Sequence, residues 1–224
     1  MESVRKIRIN NSIIGVCRIA GNSSVLLSEL EMKDLYLPQI EEMTEKRRCE
    51  WLTVRLLLKE ISGREREILY MPNGKPHLAD NSFNISISHT GNRRRQANEA
   101  AGLGYAAVIL NPERPVAIDI ERISERIHNV KRRFMSVEEL AAISKTDELV
   151  HLLLHWSAKE TVFKLMDMEN VDFQTQIHIF PFQPDASGQG SFEAKETRTE
   201  RGEIFSIRYC VKDDYVITFA EGGK

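Results

Sequence analysis

The stretch VAIDIE, Val116–Glu121, alternates in the way that predicts a β-strand. Successive side chains of a strand point to opposite faces, so its three β-branched residues would share one face that can pack into the core. Asp119 and Glu121 would share the other face, roughly 7 Å apart along the backbone. That spacing lets two carboxylates bind one cation. A plain amphipathic strand with a solvated acidic face is the alternative, and this stretch taken alone favours it.

The second informative stretch is WSAKETVFK, Trp156–Lys164, which lies in a helix predicted over Glu148–Met166. Glu160 falls on the apolar stripe of that helix, one turn after Trp156. A carboxylate there is partly buried, which is costly unless it is paired or bound to a metal. Lys164 follows four residues later, so an ordinary Glu–Lys helix pair is an equally good interpretation.

Two shorter motifs carry groups that suit phosphate oxygens. SISHTG, Ser86–Gly91, places Ser88 and His89 where a predicted strand enters a loop. NGKP, Asn73–Pro76, places Lys75 in a predicted hairpin turn. Each is more commonly a surface feature when it stands alone. Together with the carboxylates they describe phosphoryl transfer, because magnesium takes protein carboxylates plus substrate phosphates, and cations hold a phosphorylated ligand.

Composition and charge limit the class of protein. Hydrophobic residues make up 42% of the 224 residues and charged residues 29%, as in a globular domain. The net charge of −2 gives no general case for nucleic-acid binding. No apolar run is long enough for a membrane span, and the first residues lack a signal-peptide core, so we expect a cytoplasmic protein. Three widely spaced cysteines without a CxxC pair argue against a thiolate metal site or a disulfide framework.

Periodicity predicts a mixture of strands and helices in both halves of the chain. In the first half we expect a hairpin at Asn10–Asn11, a long helix from Pro38 to about Ser62, and strands at Phe83–Ser88 and Tyr105–Leu110. The polar stretch Gly91–Gly104 predicts an exposed loop. In the second half we expect the VAIDIE strand, three helices between residues 127 and 166, and four strands up to residue 220. A Pro-rich connection separates the predicted domains, 1–111 and 112–224.

The ordered set GKP, FNISISHTG, VAIDIE and WSAKETVFK resembles the 4′-phosphopantetheinyl transferase superfamily, over about residues 10–220. Length and motif order are similar to the larger, surfactin-synthetase-activating type. The resemblance implies an α+β fold of two similar α/β lobes with pseudo-twofold symmetry in one monomer, with the coenzyme A site between them. It also implies a magnesium-dependent enzyme that transfers 4′-phosphopantetheine from coenzyme A to a serine of an apo-carrier protein and releases 3′,5′-ADP.

The resemblance further implies roles for individual residues. Magnesium would be held by Asp119, Glu121 and Glu160, with Glu160 and Lys164 as the catalytic residues. The implied coenzyme A contacts are Lys46, Arg47, Arg48, Lys75, Pro76, Ser88, His89, Lys159 and Lys164. Two departures from the family pattern are Ala117, where glycine is common, and the longer loop after His89.

Carrier proteins of this kind are acidic around the modified serine, so the resemblance implies an acidic acyl or peptidyl carrier protein as the partner. A candidate docking surface comprises Arg126, Lys131, Arg132, Arg133, Phe134, Met135 and Val137. Its cations would steer an acidic helix and its apolar residues would anchor it, whereas Phe134 as a core residue is the competing interpretation. Two other functions stay open: another coenzyme A phosphotransferase, and a non-catalytic protein that binds coenzyme A or carrier.

Overall fold

The computed structural model describes residues 4–91 and 104–223. The chain divides into two compact units, Met1–Glu113 (unit 1) and Arg114–Lys224 (unit 2). Both contain helices and antiparallel sheet, which confirms the predicted α+β class. The loop predicted at Gly91–Gly104 lies almost wholly outside the described residues. Within the described ranges, the helices are all too short or too polar to cross a membrane.

Unit 1 is built on a four-stranded antiparallel sheet. Its strands are β1 (Arg5–Ile9), β2 (Ser12–Ile19), β5 (Asn84–Gly91) and β6 (Gly104–Asn111), in the order β1-β2-β6-β5. A separate hairpin joins β3 (Ile68–Tyr70) to β4 (Pro76–Leu78). The helices are α1 (Ser23–Ser28), α2 (Lys33–Ile40) and α3 (Glu45–Ser62). Because α3 packs on the two central strands and α1 packs on α3, the core of unit 1 lies on one face of its sheet.

The helix predicted from Pro38 to about Ser62 is two helices. Pro38 lies inside α2, which ends at Ile40, and Thr44 then begins α3. The Thr44 hydroxyl accepts a hydrogen bond from the backbone N–H of Arg47 at 3.4 Å, the arrangement of a helix N-cap. The break therefore places the basic run of this segment in the first turn of α3.

Unit 2 is built on a five-stranded antiparallel sheet. Its strands are β7 (Val116–Arg122), β8 (Ile177–Ile179), β9 (Gln189–Glu196), β10 (Ile204–Val211) and β11 (Tyr215–Glu221), in the order β7-β11-β10-β9-β8. Its helices are α4 (Ile127–Val130), α5 (Val137–Ala141), α6 (Glu148–Met166) and α7 (Phe173–Gln176), with a 3-10 turn at Lys131–Arg133. The longest helix, α6, packs across β7 and β11. The functional stretches VAIDIE and WSAKETVFK therefore lie on elements that touch.

The register of β7 against β11 shows which face of β7 the helix covers. Asp119 pairs with Thr218, and the Thr218 hydroxyl lies 2.8 Å from the Ser157 hydroxyl and 2.7 Å from the Thr161 hydroxyl of α6. The carboxylate face of β7 is thus the face beneath α6. Every residue from 116 to 120 is buried, with Asp119 only 4% exposed, so the alternative of a solvated acidic face is wrong.

His151 and His155 lie one turn apart on α6 and are both 1% exposed. Their rings pack with Phe182, at centroid distances of 4.5 Å and 5.3 Å respectively. His155 Nδ1 donates to the backbone oxygen of His151 at 3.0 Å. Burial is the main cause that lowers the pKa of His151 to about 4 and that of His155 to about 3. Both histidines are therefore neutral core residues at physiological pH.

The buried imidazole of His155 predicts a loss of stability on mild acidification. Its pKa in the folded chain lies below the ordinary value, so the unfolded chain binds the proton first as the pH falls, and folding stability that is full at neutral pH declines. At pH 5 this one group should lower the free energy of unfolding by about 2 kcal/mol. The melting temperature should fall less between pH 7 and pH 5 in His155→Gln than in the wild type. Equal falls in the two proteins would contradict this assignment.

Candidate functional site

The structure brings Asp119 and Glu121 of β7 together with Glu160 and Lys164 of α6. Lys164 Nζ donates to Asp119 Oδ1 at 2.9 Å and to a backbone carbonyl of the same strand at 2.9 Å. The indole N–H of Trp156 donates to Glu121 Oε1 at 2.7 Å. Two motifs that are distant in the sequence therefore meet in one group, which we call the carboxylate cluster: Asp119, Glu121, Glu160 and Lys164.

Burial and mutual repulsion shape the electrostatics of the carboxylate cluster. Burial, followed by the negative charge of Asp119, raises the pKa of Glu160 to about 7. The same two causes, in the same order, raise the pKa of Glu121 to about 7, against the opposing hydrogen bond from Trp156. Three ionised carboxylates beside one ammonium would leave excess negative charge. A cation that binds among them would relieve it.

The described residues contain no set of three or more His, Cys, Asp or Glu side chains arranged to hold a metal ion. The hydrogen bonds offer a physical reason, because Lys164 and Trp156 hold Asp119 and Glu121 on protein donors. The chemistry of the donor set nevertheless fits magnesium, a hard cation that takes carboxylate oxygens together with water and substrate phosphates. The carboxylates most suited to it are those of Asp119, Glu121 and Glu160.

In unit 1 the structure assembles three of the predicted coenzyme A residues around a fourth residue, Glu50. Arg47 Nη1 lies 2.8 Å from His89 Nε2 and 3.4 Å from Glu50 Oε2. Lys46 Nζ lies 3.6 Å from Glu50 Oε1. We call Lys46, Arg47, Glu50 and His89 the basic cluster. Sequence reasoning missed Glu50, although its position three and four residues after two basic residues of one helix was a usable signal.

The other residues predicted for coenzyme A in unit 1 lie in different settings. The Arg48 guanidinium donates to the carbonyls of residues 40 and 41 at 2.9 Å and 2.6 Å, so it caps the C-terminal end of α2. Arg48 therefore joins the first turn of α3 to the end of α2. Lys75 and Pro76 are half-buried at the β3–β4 hairpin, where the Lys75 backbone N–H donates to Asn73 Oδ1 at 3.1 Å. Ser88 lies on β5 and is 8% exposed.

Lys159, also predicted to contact coenzyme A, is fully buried in the core of unit 2. Its ammonium donates to Glu139 Oε2 at 2.8 Å, to the Phe173 carbonyl at 2.8 Å and to the Ile177 carbonyl at 2.6 Å. An ammonium has three protons, and these partners use all of them. Lys159 thus joins α6 to α5, α7 and β8, and its ammonium has no proton left for a ligand phosphate.

The candidate docking surface loses two of its three apolar residues in the structure. Phe134 and Met135 are 1% and 0% exposed, and the Phe134 ring packs on Trp156 at a centroid distance of 5.1 Å. These two residues belong to the core, which corrects the expectation that they anchor a partner. Lys131 forms a salt bridge with Glu148 at 2.8 Å. The exposed members of the surface are Arg126, Arg132, Arg133 and Val137.

A model of the 4′-phosphopantetheinyl transferase superfamily matches residues 115–220. The match covers slightly less than half of the chain and falls within unit 2, which contains the whole carboxylate cluster. It suggests phosphopantetheine transfer in general and does not distinguish the larger type of transferase. None of the curated proteins compared with the chain matches it.

The buried ion pair of Lys159 predicts that its removal affects stability rather than ligand binding. Lys159→Met would leave Glu139 buried without its counter-charge, which typically costs ~3–5 kcal/mol. The melting temperature should therefore fall by roughly 10 °C, measured by differential scanning calorimetry. At a temperature where the variant is folded, its Kd for coenzyme A, the ligand that the sequence resemblance implies, should equal that of the wild type. An unchanged melting temperature together with a raised Kd would instead indicate that Lys159 contacts the ligand.

Proposed function

We propose that this chain transfers the 4′-phosphopantetheine arm of coenzyme A to a serine hydroxyl of an acidic apo-carrier protein and releases 3′,5′-ADP. The observation that carries the proposal is the meeting of two β7 carboxylates with Glu160 and Lys164 of α6. The region that contains this meeting is the region matched by the superfamily model. The same proposal includes the larger type of transferase, coenzyme A as co-substrate, a monomeric state and a cytoplasmic location.

Asp119, Glu121 and Glu160 would hold magnesium, since they offer three carboxyl groups in one partly buried space. A bound magnesium ion supplies positive charge that neutralises the pyrophosphate oxygens of the substrate. Burial and the charge of Asp119 make ionisation of the two glutamates unfavourable in the isolated protein. A cation and a phosphorylated ligand are therefore expected to bind the cluster together more tightly than either binds alone.

Glu160 is the proposed general base. Burial is the main cause that raises the pKa of its carboxyl to about 7 in the metal-free chain, and its carboxylate is a proton acceptor within the same cluster that would hold the metal. In the proposed reaction a bond forms between the carrier serine oxygen and the phosphorus that bears pantetheine. The bond between that phosphorus and the oxygen of 3′,5′-ADP breaks, and the serine proton passes to Glu160 directly or through water.

Lys164 is proposed to balance the charge that grows on the departing 3′,5′-ADP. Its ammonium lies 2.9 Å from Asp119 Oδ1, and the side chain is 26% exposed, so it can meet both the carboxylates and a ligand. An ammonium positioned before the reaction stabilises the developing charge without reorganisation during the step. For the phosphates of coenzyme A we propose the cations of the basic cluster, with Lys75, Pro76 and Ser88 as further contacts.

One observation favours an alternative. The ion pair between Lys164 and Asp119 gives the carboxylate a partner that competes with a metal, as in a protein that binds coenzyme A or carrier without turnover. Another coenzyme A phosphotransferase would also use these groups but would leave the carrier unmodified. Chromatographic assay of 3′,5′-ADP release that depends on added apo-carrier separates the three functions, because only the proposed transferase gives it.

The role of Glu160 predicts a large effect of an isosteric change. Glu160→Gln removes the proposed proton acceptor and the negative charge that this side chain would offer to magnesium. The kcat for 3′,5′-ADP release should therefore fall at least ~100-fold. The matched control is Glu169→Gln, an exposed glutamate just beyond the same helix, which should keep wild-type kcat. Circular dichroism should show both variants folded. Near-normal turnover by folded Glu160→Gln would reject this residue as the base.

The exposed arginines of the docking surface predict a selective effect on carrier recognition. Arg132→Glu with Arg133→Glu reverses two exposed charges, so the KM for an acidic carrier should rise about tenfold while the KM for coenzyme A stays constant. The control is the same charge reversal at Arg198 and Arg201, which are exposed beside the β9–β10 turn. The wild-type carrier KM should also rise with salt, because salt screens exposed charges. Equal carrier KM values for the two double variants would place the docking surface elsewhere.

A further inference from the structure

The basic cluster of unit 1 contains one buried carboxylate, that of Glu50. The Glu50 side chain is 9% exposed, whereas those of Lys46, Arg47 and His89 are 34–47% exposed. The basic side chains therefore present themselves to solvent and the carboxylate lies beneath them. Its oxygens are 3.6 Å from Lys46 Nζ, 3.4 Å from Arg47 Nη1 and 3.8 Å from His89 Nδ1. One carboxylate thus contacts or faces all three.

The contact between Arg47 and His89 fixes the state of the imidazole. A guanidinium has only donors, so at 2.8 Å the His89 Nε2 atom must accept from Arg47 Nη1. The ring is then neutral and carries its proton on Nδ1, the nitrogen that faces Glu50 Oε2. Arg47 and Glu50 together select this tautomer and orient the ring, because one supplies the donor and the other attracts the remaining N–H.

The backbone at Gly91 allows the Lys46 ammonium to reach the carboxylate. A Cβ atom built on Gly91 would lie 2.8 Å from Lys46 Nζ and 2.9 Å from Glu50 Oε1. Any other residue would therefore displace one of the two groups. The end of β5 approaches the first turns of α3 closely at this point. Because Gly91 has no side chain, the lysine and the carboxylate can contact each other there.

We propose, on the basis of the function proposed above, that Glu50 is a positioning residue that holds Lys46, Arg47 and His89 as one preformed binding group for a phosphate of the ligand. Without its charge, Lys46 and Arg47 repel each other and separate, and Arg47 leaves His89. The Lys46 and Arg47 side chains are 40% and 47% exposed, so a phosphate in solvent can reach them. Glu50 is not a catalytic residue, because it acts through the side chains above it.

Simple electrostatics predicts the opposite effect of the Glu50 charge on phosphate binding, which makes the proposal testable. A carboxylate near an anion site repels the anion, so removing its charge should tighten binding unless the carboxylate organises the site. We therefore compare the full wild-type chain with Glu50→Gln. The matched control is Glu60→Gln. Glu60 lies on the same helix as Glu50, is half-exposed and pairs with Lys6 of β1.

Two measurements are made on each protein. Isothermal titration calorimetry gives the Kd for 3′,5′-ADP, with inorganic phosphate titrated in parallel as a probe without a nucleoside. Nitrogen-15 NMR gives the tautomer of the His89 ring, identified among the six histidines by its loss in His89→Gln. We expect Glu50→Gln to weaken binding about tenfold and to abolish the single His89 tautomer. Glu60→Gln should change neither quantity.

The proposal is overturned if Glu50→Gln binds as tightly as the wild type or more tightly, or if the His89 tautomer is unchanged. Should Glu50→Gln fail to fold, Glu50→Asp decides by the same criteria, since a side chain one methylene shorter withdraws the carboxylate from groups that it now meets at 3.4–3.8 Å. Neither measurement uses turnover. A chain that meets both expectations yet leaves apo-carrier unmodified would refute the proposed function and retain this role for Glu50.

Discussion

Charge balance in the partly buried space beneath α6 is the constraint on which unit 2 depends. Three carboxyl groups share that space, and burial with mutual repulsion raises the pKa of Glu121 and Glu160. Lys164 compensates Asp119, and the indole N–H of Trp156 satisfies one oxygen of Glu121. Charges withdrawn from water require such partners, or the folded state loses several kcal/mol. Three ionised carboxylates beside one ammonium would leave negative charge, and on this basis we propose the cluster for a divalent cation and the phosphates that accompany it.

Unit 1 contains the opposite arrangement. There two cationic side chains and one histidine, Lys46, Arg47 and His89, lie around the buried carboxylate of Glu50. The Lys159–Glu139 pair provides a contrast, because all the protons of its ammonium are bound and neither side chain is more than 5% exposed. A fully satisfied pair stabilises the fold and has no capacity for a ligand. Each of the other two clusters keeps side chains that a ligand can reach: Lys164 is 26% exposed in unit 2, and the basic side chains of unit 1 are 34–47% exposed.

Local pattern predicted much of the fold, and contacts between distant residues account for what it missed. The predicted bounds of α6, Glu148–Met166, are confirmed, because a long and largely apolar helix is specified by its own sequence. The break before α3 was missed because the helical spacing of residues after Pro38 continues across it, whereas the Thr44 cap begins a new helix there. The burial of Lys159 and Phe134 could not be read from periodicity, since it depends on α5, α7 and Trp156. The convergence of Asp119 with Lys164 likewise required the packing of α6 on β7.

The measurement that most directly tests the central claim is the intact mass of an apo-carrier protein after incubation with this chain and coenzyme A. The account predicts that the mass increases by one phosphopantetheine group when magnesium is present and that the increase is lost when a chelator removes the metal. A folded wild-type chain that leaves several acyl and peptidyl apo-carriers at their original mass with magnesium and coenzyme A in excess would contradict it.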